Sequence, residues 1–292
     1  VFRMDSADIQ PDHWLTLANT IYHNMKSYDG IVVTMGSDTM IYAASAISFI
    51  IQNINIPIVF TGAQIDTSQL NTDAKRNIRE ACTVAAYADL GESVIVFNGQ
   101  IRRGTRSKRI NASNFEGFGS VDSIPLGNIE HYIKFNKPQI KRAKSKTVFY
   151  NKLETRVGIL KVYPGFDNDR IKSSIDEGKL KGIVIEGYGL GLMPSVNDSE
   201  REAIKYANKK NVPIVITSDS TLGDHWEHIY DAEIGNRRDG IKVIPVFDMP
   251  THAAYVKLMW VLAQTTKFSE VKKMMQKNYV GEITEHRKKN GK

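Results

Sequence analysis

The run Ile31-Val32-Val33-Thr34-Met35-Gly36-Ser37-Asp38-Thr39-Met40 constrains the fold most, because an apolar, β-branched stretch stops at glycine, hydroxyl, carboxylate and hydroxyl just before a helical pattern begins. A buried strand that feeds a helix has this form. In an open α/β sheet the carboxyl ends of the strands face the ligand crevice, so Ser37, Asp38 and Thr39 fall at a helix N-terminus whose free N–H groups favour an anion. The same residue types also cap helices, and a plain cap by Ser37 or Asp38 stands beside the functional reading.

The strand-then-helix rhythm repeats through most of the chain, which predicts parallel sheets covered by helices. Ile31–Thr34 precedes a helix over about 39–52, residues 56–60 read as the next strand and 73–87 as the next helix, and Ser93–Phe97 as a third strand. Polar and basic residues then interrupt the pattern, and the rhythm restarts with strands over 157–163, 182–185 and 212–217, helices over 167–177 and 199–209, and closing helices near 251–265 and 269–277. The expected architecture is α/β in two domains: a larger N-terminal parallel or mixed sheet flanked by helices (1–133), a basic linker (134–155) and a smaller C-terminal α/β domain (156–292). A chain of 292 residues is long enough for two cores. The run Gly187-Tyr188-Gly189-Leu190-Gly191 lacks the lysine and spacing of a phosphate loop and reads as a tight turn after a buried strand.

Charge raises the question of nucleic acid, since the formal net charge is +7. It gathers in Lys134, Lys137, Lys141, Arg142, Lys144, Lys146 and Lys152, and in a tail of Arg287, Lys288, Lys289 and Lys292. Neither run is interleaved with stacking aromatics, so solvated linker and tail charges are the favoured reading. The single cysteine, Cys82, excludes an internal disulfide and is expected as a small buried hydrophobe of a reduced, cytoplasmic protein. No apolar run approaches the roughly 18–20 residues of a membrane span, and the first residues show no signal-peptide pattern. The histidines His13, His23, His131, His225, His228, His252 and His286 are scattered, and His225-Trp226-Glu227-His228 offers no clear third ligand, so no metal site and no cofactor are expected.

Several segments in order resemble the bacterial-type L-asparaginase family, which includes the glutaminase component of the archaeal tRNA-dependent amidotransferase. They are Asp29-Gly30 through Met40, Thr61-Gly62-Ala63-Gln64, Thr72-Asp73-Ala74, Arg103-Gly104-Thr105-Arg106-Ser107-Lys108, Glu186-Gly187-Tyr188-Gly189, Asp248-Met249-Pro250 and Lys257-Leu258-Met259-Trp260. The resemblance implies hydrolysis of a side-chain carboxamide, asparagine to aspartate and ammonia, through an acyl-enzyme on a threonine. Similar enzymes carry that threonine in a Gly-Gly-Thr-Ile loop after their first strand, and this sequence has no such motif. The expectation is an N-terminally shortened sequence rather than a different chemistry, because a sheet without its first strand exposes an unpaired edge.

By the same resemblance Ser37 stands where the family has a second threonine and keeps the hydroxyl that holds or activates the attacking group. Lys108 matches the lysine of a Thr–Lys–Asp triad, although it also lies in a basic run with Arg102, Arg103, Arg106 and Arg109. Asp38 would orient the lysine and receive the substrate α-ammonium, Ser6 would bind the α-carboxylate, and Ala63 lies in the substrate-facing turn. Backbone N–H groups near Ser37 would meet the developing oxyanion. Met35 replaces a family histidine outside the triad.

Three functions remain open from the sequence: a free-standing L-asparaginase acting on a small amino acid, the glutaminase component of the tRNA amidotransferase, and a non-catalytic amino-acid-binding or scaffold relative. Family sites are completed by a neighbouring protomer, which implies a homodimer or homotetramer, with the turn at Gly189 a candidate for reaching across. Contact with nucleic acid belongs only to the amidotransferase reading, and no membrane partner is expected.

Overall fold

The computed structural model describes residues 1–121, 123–194, 199–220 and 241–284. They divide into two units, Val1–Thr155 and Arg156–Lys292.

In the first unit, α1 (Pro11–Asn24) has a proline in its first turn and a reciprocal capping box between Gln10 and His13. Strand β1 (Ile31–Thr34) leads into α2 (Met40–Ile50), followed by β2 (Ile51–Gln52), β3 (Ile58–Thr61), α3 (Ala74–Tyr87), β4 (Ser93–Phe97) and β5 (Gln100–Arg103). Short strands complete it: β6 (Ser107–Arg109), β7 (Phe118–Ser120), β8 (Gly127–Ile129), β9 (Ile133–Phe135) and β10 (Val148–Phe149). The main sheet runs β1-β3-β4-β5-β8-β9, with β1, β3 and β4 parallel and the rest antiparallel, while β6-β7 and β2-β10 form separate ribbons.

Strand alternation sorts the core into two faces. Val59, Val94 and Val96 join Ala81, Val84 and Ala85 of α3 in one buried cluster. Ile58, Phe60 and Ile95 point to the other face, and α2, whose residues are almost all buried, packs against β4. Cys82 corrects the sequence expectation: it is exposed, because the buried stripe of α3 runs through Asn77, Ala81, Val84 and Ala85 and leaves position 82 on the solvent side.

The stretch 134–155, read from the sequence as a linker, packs back onto this unit. Arg142 donates to the Ala88 carbonyl (3.2 Å), the Ile140 N–H to Glu92 (2.7 Å) and the Ala143 N–H to the Ile54 carbonyl (2.9 Å). Its lysines therefore decorate a folded surface.

The second unit contains β11 (Val157–Lys161), α4 (Asp169–Asp176), β12 (Gly182–Gly187), α5 (Ser199–Lys209), β13 (Ile214–Ser218), β14 (Ile244–Pro245), α6 (Thr251–Leu262) and α7 (Phe268–Gln276). The four strands among its described residues are all parallel in the order β11-β12-β13-β14. The glycine run after β12 is a tight turn: Gly189 and Gly191 have φ of +45° and +88°, and Tyr188 bridges Leu192 across it.

Lys257 of α6 is wholly buried and forms an ion pair with Glu282 at 2.5 Å, while also donating to the carbonyls of Met275 and Lys277. Glu282 accepts from the N–H groups of Tyr279 and Val280, so residues 277–282 are clasped onto α6. Burial pulls the Lys257 ammonium below its ordinary value, and Glu282 opposes that pull.

Among the described residues, no helix is long and apolar enough to cross a membrane, and no group of three or more His, Cys, Asp or Glu side chains could hold a metal ion. His225, His228, His286 and the basic tail at 287–292 lie outside the described residues.

Candidate functional site

Parallel pairing of β1 with β3, Thr34 opposite Thr61, brings the loops that follow both strands to one end of the sheet. Those loops carry Ser37, Asp38 and Ala63. Gly62 packs so closely there that a Cβ on it would lie 2.3 Å from the Met35 carbonyl oxygen.

The plain capping reading of Ser37 and Asp38 is not realised. Helix α2 begins at Met40 with Thr39 at the cap position, and Thr39 Oγ1 donates instead to the Ser6 carbonyl (2.7 Å). The Asp38 carboxylate accepts from Ser6 Oγ (3.3 Å) across 32 positions of sequence. Ser6 is buried in a short 3-10 turn, and Asp5 provides the local cap by accepting from the Ala7 N–H (2.9 Å). Gly36 makes this approach possible, since its missing Cβ would sit 2.4 Å from Ser6 Oγ. Ser37 is itself buried. Three of the five expected residues thus lie together: Ser6, Ser37 and Asp38.

Ala63 begins a loop held by Asp73, a residue whose positioning role the sequence reading did not assign. The Asp73 carboxylate accepts from the N–H groups of Gln64 (3.0 Å) and Ile65 (3.1 Å), and from Asn77 Nδ2 (2.9 Å), which also reaches the Gly62 carbonyl (2.9 Å). The signal was present in Thr72-Asp73-Ala74, where a carboxylate just before a helix can bond backward to a loop as well as forward to the helix. Replacing Asp73 by Asn is expected to destabilise the protein by about 1–3 kcal/mol through loss of a charged acceptor for several N–H groups, as urea unfolding would measure.

Lys108 lies at the centre of β6, paired with Gly119 of β7. Arg109 is the one that reaches the carboxylate, its Nη1 lying 3.8 Å from Asp38. Its Nη2 donates to Gln64 Oε1 (3.3 Å), and the guanidinium lies over the buried Phe118 ring at 5.8 Å. The sequence groups Arg109 with a basic run, yet Arg109 is half-buried and Arg102 and Arg106 of that run are buried.

A cleft of about 340 Å³ lies beside this end of the sheet, lined by Trp14, Leu17 and Ile21 of α1 and by Ile31 through Met35. Strand β1 is the edge of its sheet, with no strand on its outer side among the described residues. The Trp14 indole N–H in the cleft wall is buried and has no acceptor among those residues. The cleft therefore presents unused backbone groups, apolar side chains and one unspent donor to whatever occupies it.

Comparison with known proteins follows the same division of the chain. The family model described as asparaginase, N-terminal, matches residues 1–141, and the glutaminase/asparaginase C-terminal domain matches 156–275. The chain is 36% identical over 301 residues to the D component of the glutamyl-tRNA(Gln) amidotransferase of Pyrococcus furiosus, covering 99% of this chain and 67% of that protein. Against an L-asparaginase of Thermococcus kodakarensis it is 32% identical over 286 residues, covering 97% and 85% respectively. It spans about two thirds of the length of the amidotransferase components it matches. The solved structure of the Thermococcus kodakarensis L-asparaginase superposes with a TM-score of 0.89 at 30% identity, covering 98% of this chain and 85% of that one. L-asparaginase I of Vibrio cholerae gives 0.85 at 30% identity, covering 96% and 84%.

Proposed function

This chain belongs to the asparaginase family, and from that premise we propose that it hydrolyses the side-chain amide of L-asparagine to L-aspartate and ammonia. The observation that carries the reading is the contact of Ser6 Oγ with the Asp38 carboxylate at the carboxyl end of β1, which joins two expected substrate-binding groups from distant parts of the sequence. Asp38 would take the substrate α-ammonium and Ser6 its α-carboxylate.

The reaction needs a hydroxyl to add to the carboxamide carbon, a base to take its proton, and donors for the oxyanion. Ser37, Lys108 and Asp38 form the activating set in this reading, with backbone N–H groups beside Ser37 as oxyanion donors. The tetrahedral adduct collapses with loss of the amide nitrogen, which leaves as ammonia after accepting the proton. Water then attacks the acyl ester and releases aspartate and the hydroxyl. An extended segment carrying the attacking hydroxyl would fit along the open side of β1, where the cleft and the Trp14 N–H would receive its side chains and a backbone carbonyl. A homodimer or homotetramer in the cytoplasm belongs to the same reading.

A second reading, glutamine hydrolysis as part of an amidotransferase, is favoured by the 36% identity to the Pyrococcus furiosus protein. Ammonia release from asparagine and from glutamine, measured on the purified protein, separates the two. Faster release from asparagine is expected, with at least about a hundredfold loss in Lys108→Met. Preference for glutamine would select the second reading over the first. Release from neither amide, or full activity in Lys108→Met, would end the proposal as stated.

A further inference from the structure

Arg109 is a cation built into the candidate site, with the supports of a fixed group. One end of its guanidinium is tied to Gln64 Oε1 at 3.3 Å and its face rests over Phe118. Gln64 is pinned in turn, its Nε2 donating to the carbonyls of Asn114 (2.9 Å) and Asn111 (3.3 Å). The other end stops 3.8 Å from Asp38 Oδ1, close enough to be an ion pair and too far to be a hydrogen bond. Nη1 makes no hydrogen bond among the described residues. Asp38 is the more exposed partner, at 62% against 23% for Arg109, so the carboxylate faces the solvent and the cation stands behind it.

That order of charges sets what the site attracts. A substrate ammonium docking on Asp38 meets a carboxylate already partly neutralised and approaches a second positive charge. A substrate carboxylate is drawn by the same guanidinium and finds in Ser6 a hydroxyl that already touches Asp38. We propose that Arg109 is a specificity-determining residue that reads the carboxylate end of the substrate and weakens the site's dependence on an α-ammonium. The site then takes monoamides of simple dicarboxylic acids that lack an α-amino group, of which succinamate is the parent, besides amino-acid amides. The inference rests on the amide-hydrolase reading and deepens it by naming a substrate class.

The test compares two product-like ligands that differ only in the α-ammonium, succinate and L-aspartate, by titration calorimetry on the full chain. The parent protein is expected to bind succinate within about tenfold of L-aspartate. In Arg109→Met the ratio should shift at least about tenfold in favour of L-aspartate, and Arg109→Lys, which keeps the charge on a shorter, non-planar group, should fall between. Because both ligands are measured on the same folded protein, a general loosening of the site cancels in the ratio. A ratio that stays within about twofold in Arg109→Met overturns the inference and leaves the hydrolase reading standing, as does a parent protein that rejects succinate by much more than tenfold while binding L-aspartate. A parent protein that binds neither ligand overturns both.

Discussion

Replacing Glu282 by Ala is expected to destabilise the second unit by about 3–5 kcal/mol, because it leaves the fully buried Lys257 ammonium without its counter-charge. The carbonyls of Met275 and Lys277 continue to accept from Lys257, yet neither offsets a full charge in a site closed to water. The Tyr279 and Val280 N–H groups lose their acceptor in the same step, so the 277–282 segment is held less firmly on α6. The pH dependence has a definite sign. Without Glu282, burial and the nearby Lys277 charge both act on Lys257 and hold its folded value further below the ordinary 10.5. The unfolded chain then binds the extra proton, so the stability of the variant rises with pH from that lowered folded value up to the ordinary one. Thermal or urea unfolding of Glu282→Ala between neutral and alkaline pH checks both parts. The double variant Lys257→Met, Glu282→Gln should recover much of the loss, because an apolar chain in place of the ammonium needs no partner.

Gly36→Ala should reduce kcat/KM by about a hundredfold while costing only about 1–3 kcal/mol of stability. The added methyl would lie 2.4 Å from Ser6 Oγ and 2.8 Å from Ser6 Cβ, so the buried turn that carries Ser6 must retreat. Retreat breaks two links at once, the Ser6 contact with Asp38 and the Thr39 bond to the Ser6 carbonyl. The stability loss should be relieved by the double variant Gly36→Ala, Ser6→Gly, which removes the colliding side chain. Activity should not return in it, because the hydroxyl is gone as well. Recovery of both together would mean that Ser6 has no part in binding.

The parallel core was legible in the sequence because its strands are continuous apolar runs and its helices follow at once. The Ile31–Thr34 strand lies where the pattern placed it, and the helix after it starts within a residue of the expected position. Prolines blurred two other boundaries: Pro57 and Pro213 precede β3 and β13, so those strands begin later than their apolar runs. The expected parallel or mixed sheet allowed for an antiparallel half, but its individual strands were not legible because they are three- and four-residue segments rich in polar side chains, such as Gln100–Arg103. A local signal was available in Asn98-Gly99, whose φ values of +50° and +75° close the hairpin from β4 to β5. Ser37 and Asp38 could be picked out as a pair because strand ends collect ligand-facing groups. Arg109 could not, since nothing in a basic run tells which cation a three-residue ribbon turns inward.

The outer flank of β1, unpaired among the described residues, also bears on how the protein behaves in a tube. Its four residues, Ile-Val-Val-Thr, have strong strand propensity and no charge or proline to deter self-pairing between molecules. Mutual repulsion from the net charge of +7 is then the main colloidal safeguard, and salt screens it. Concentrated stocks should accordingly stay clear longest in dilute buffer, and cloud first where ionic strength is raised without anything bound along that strand.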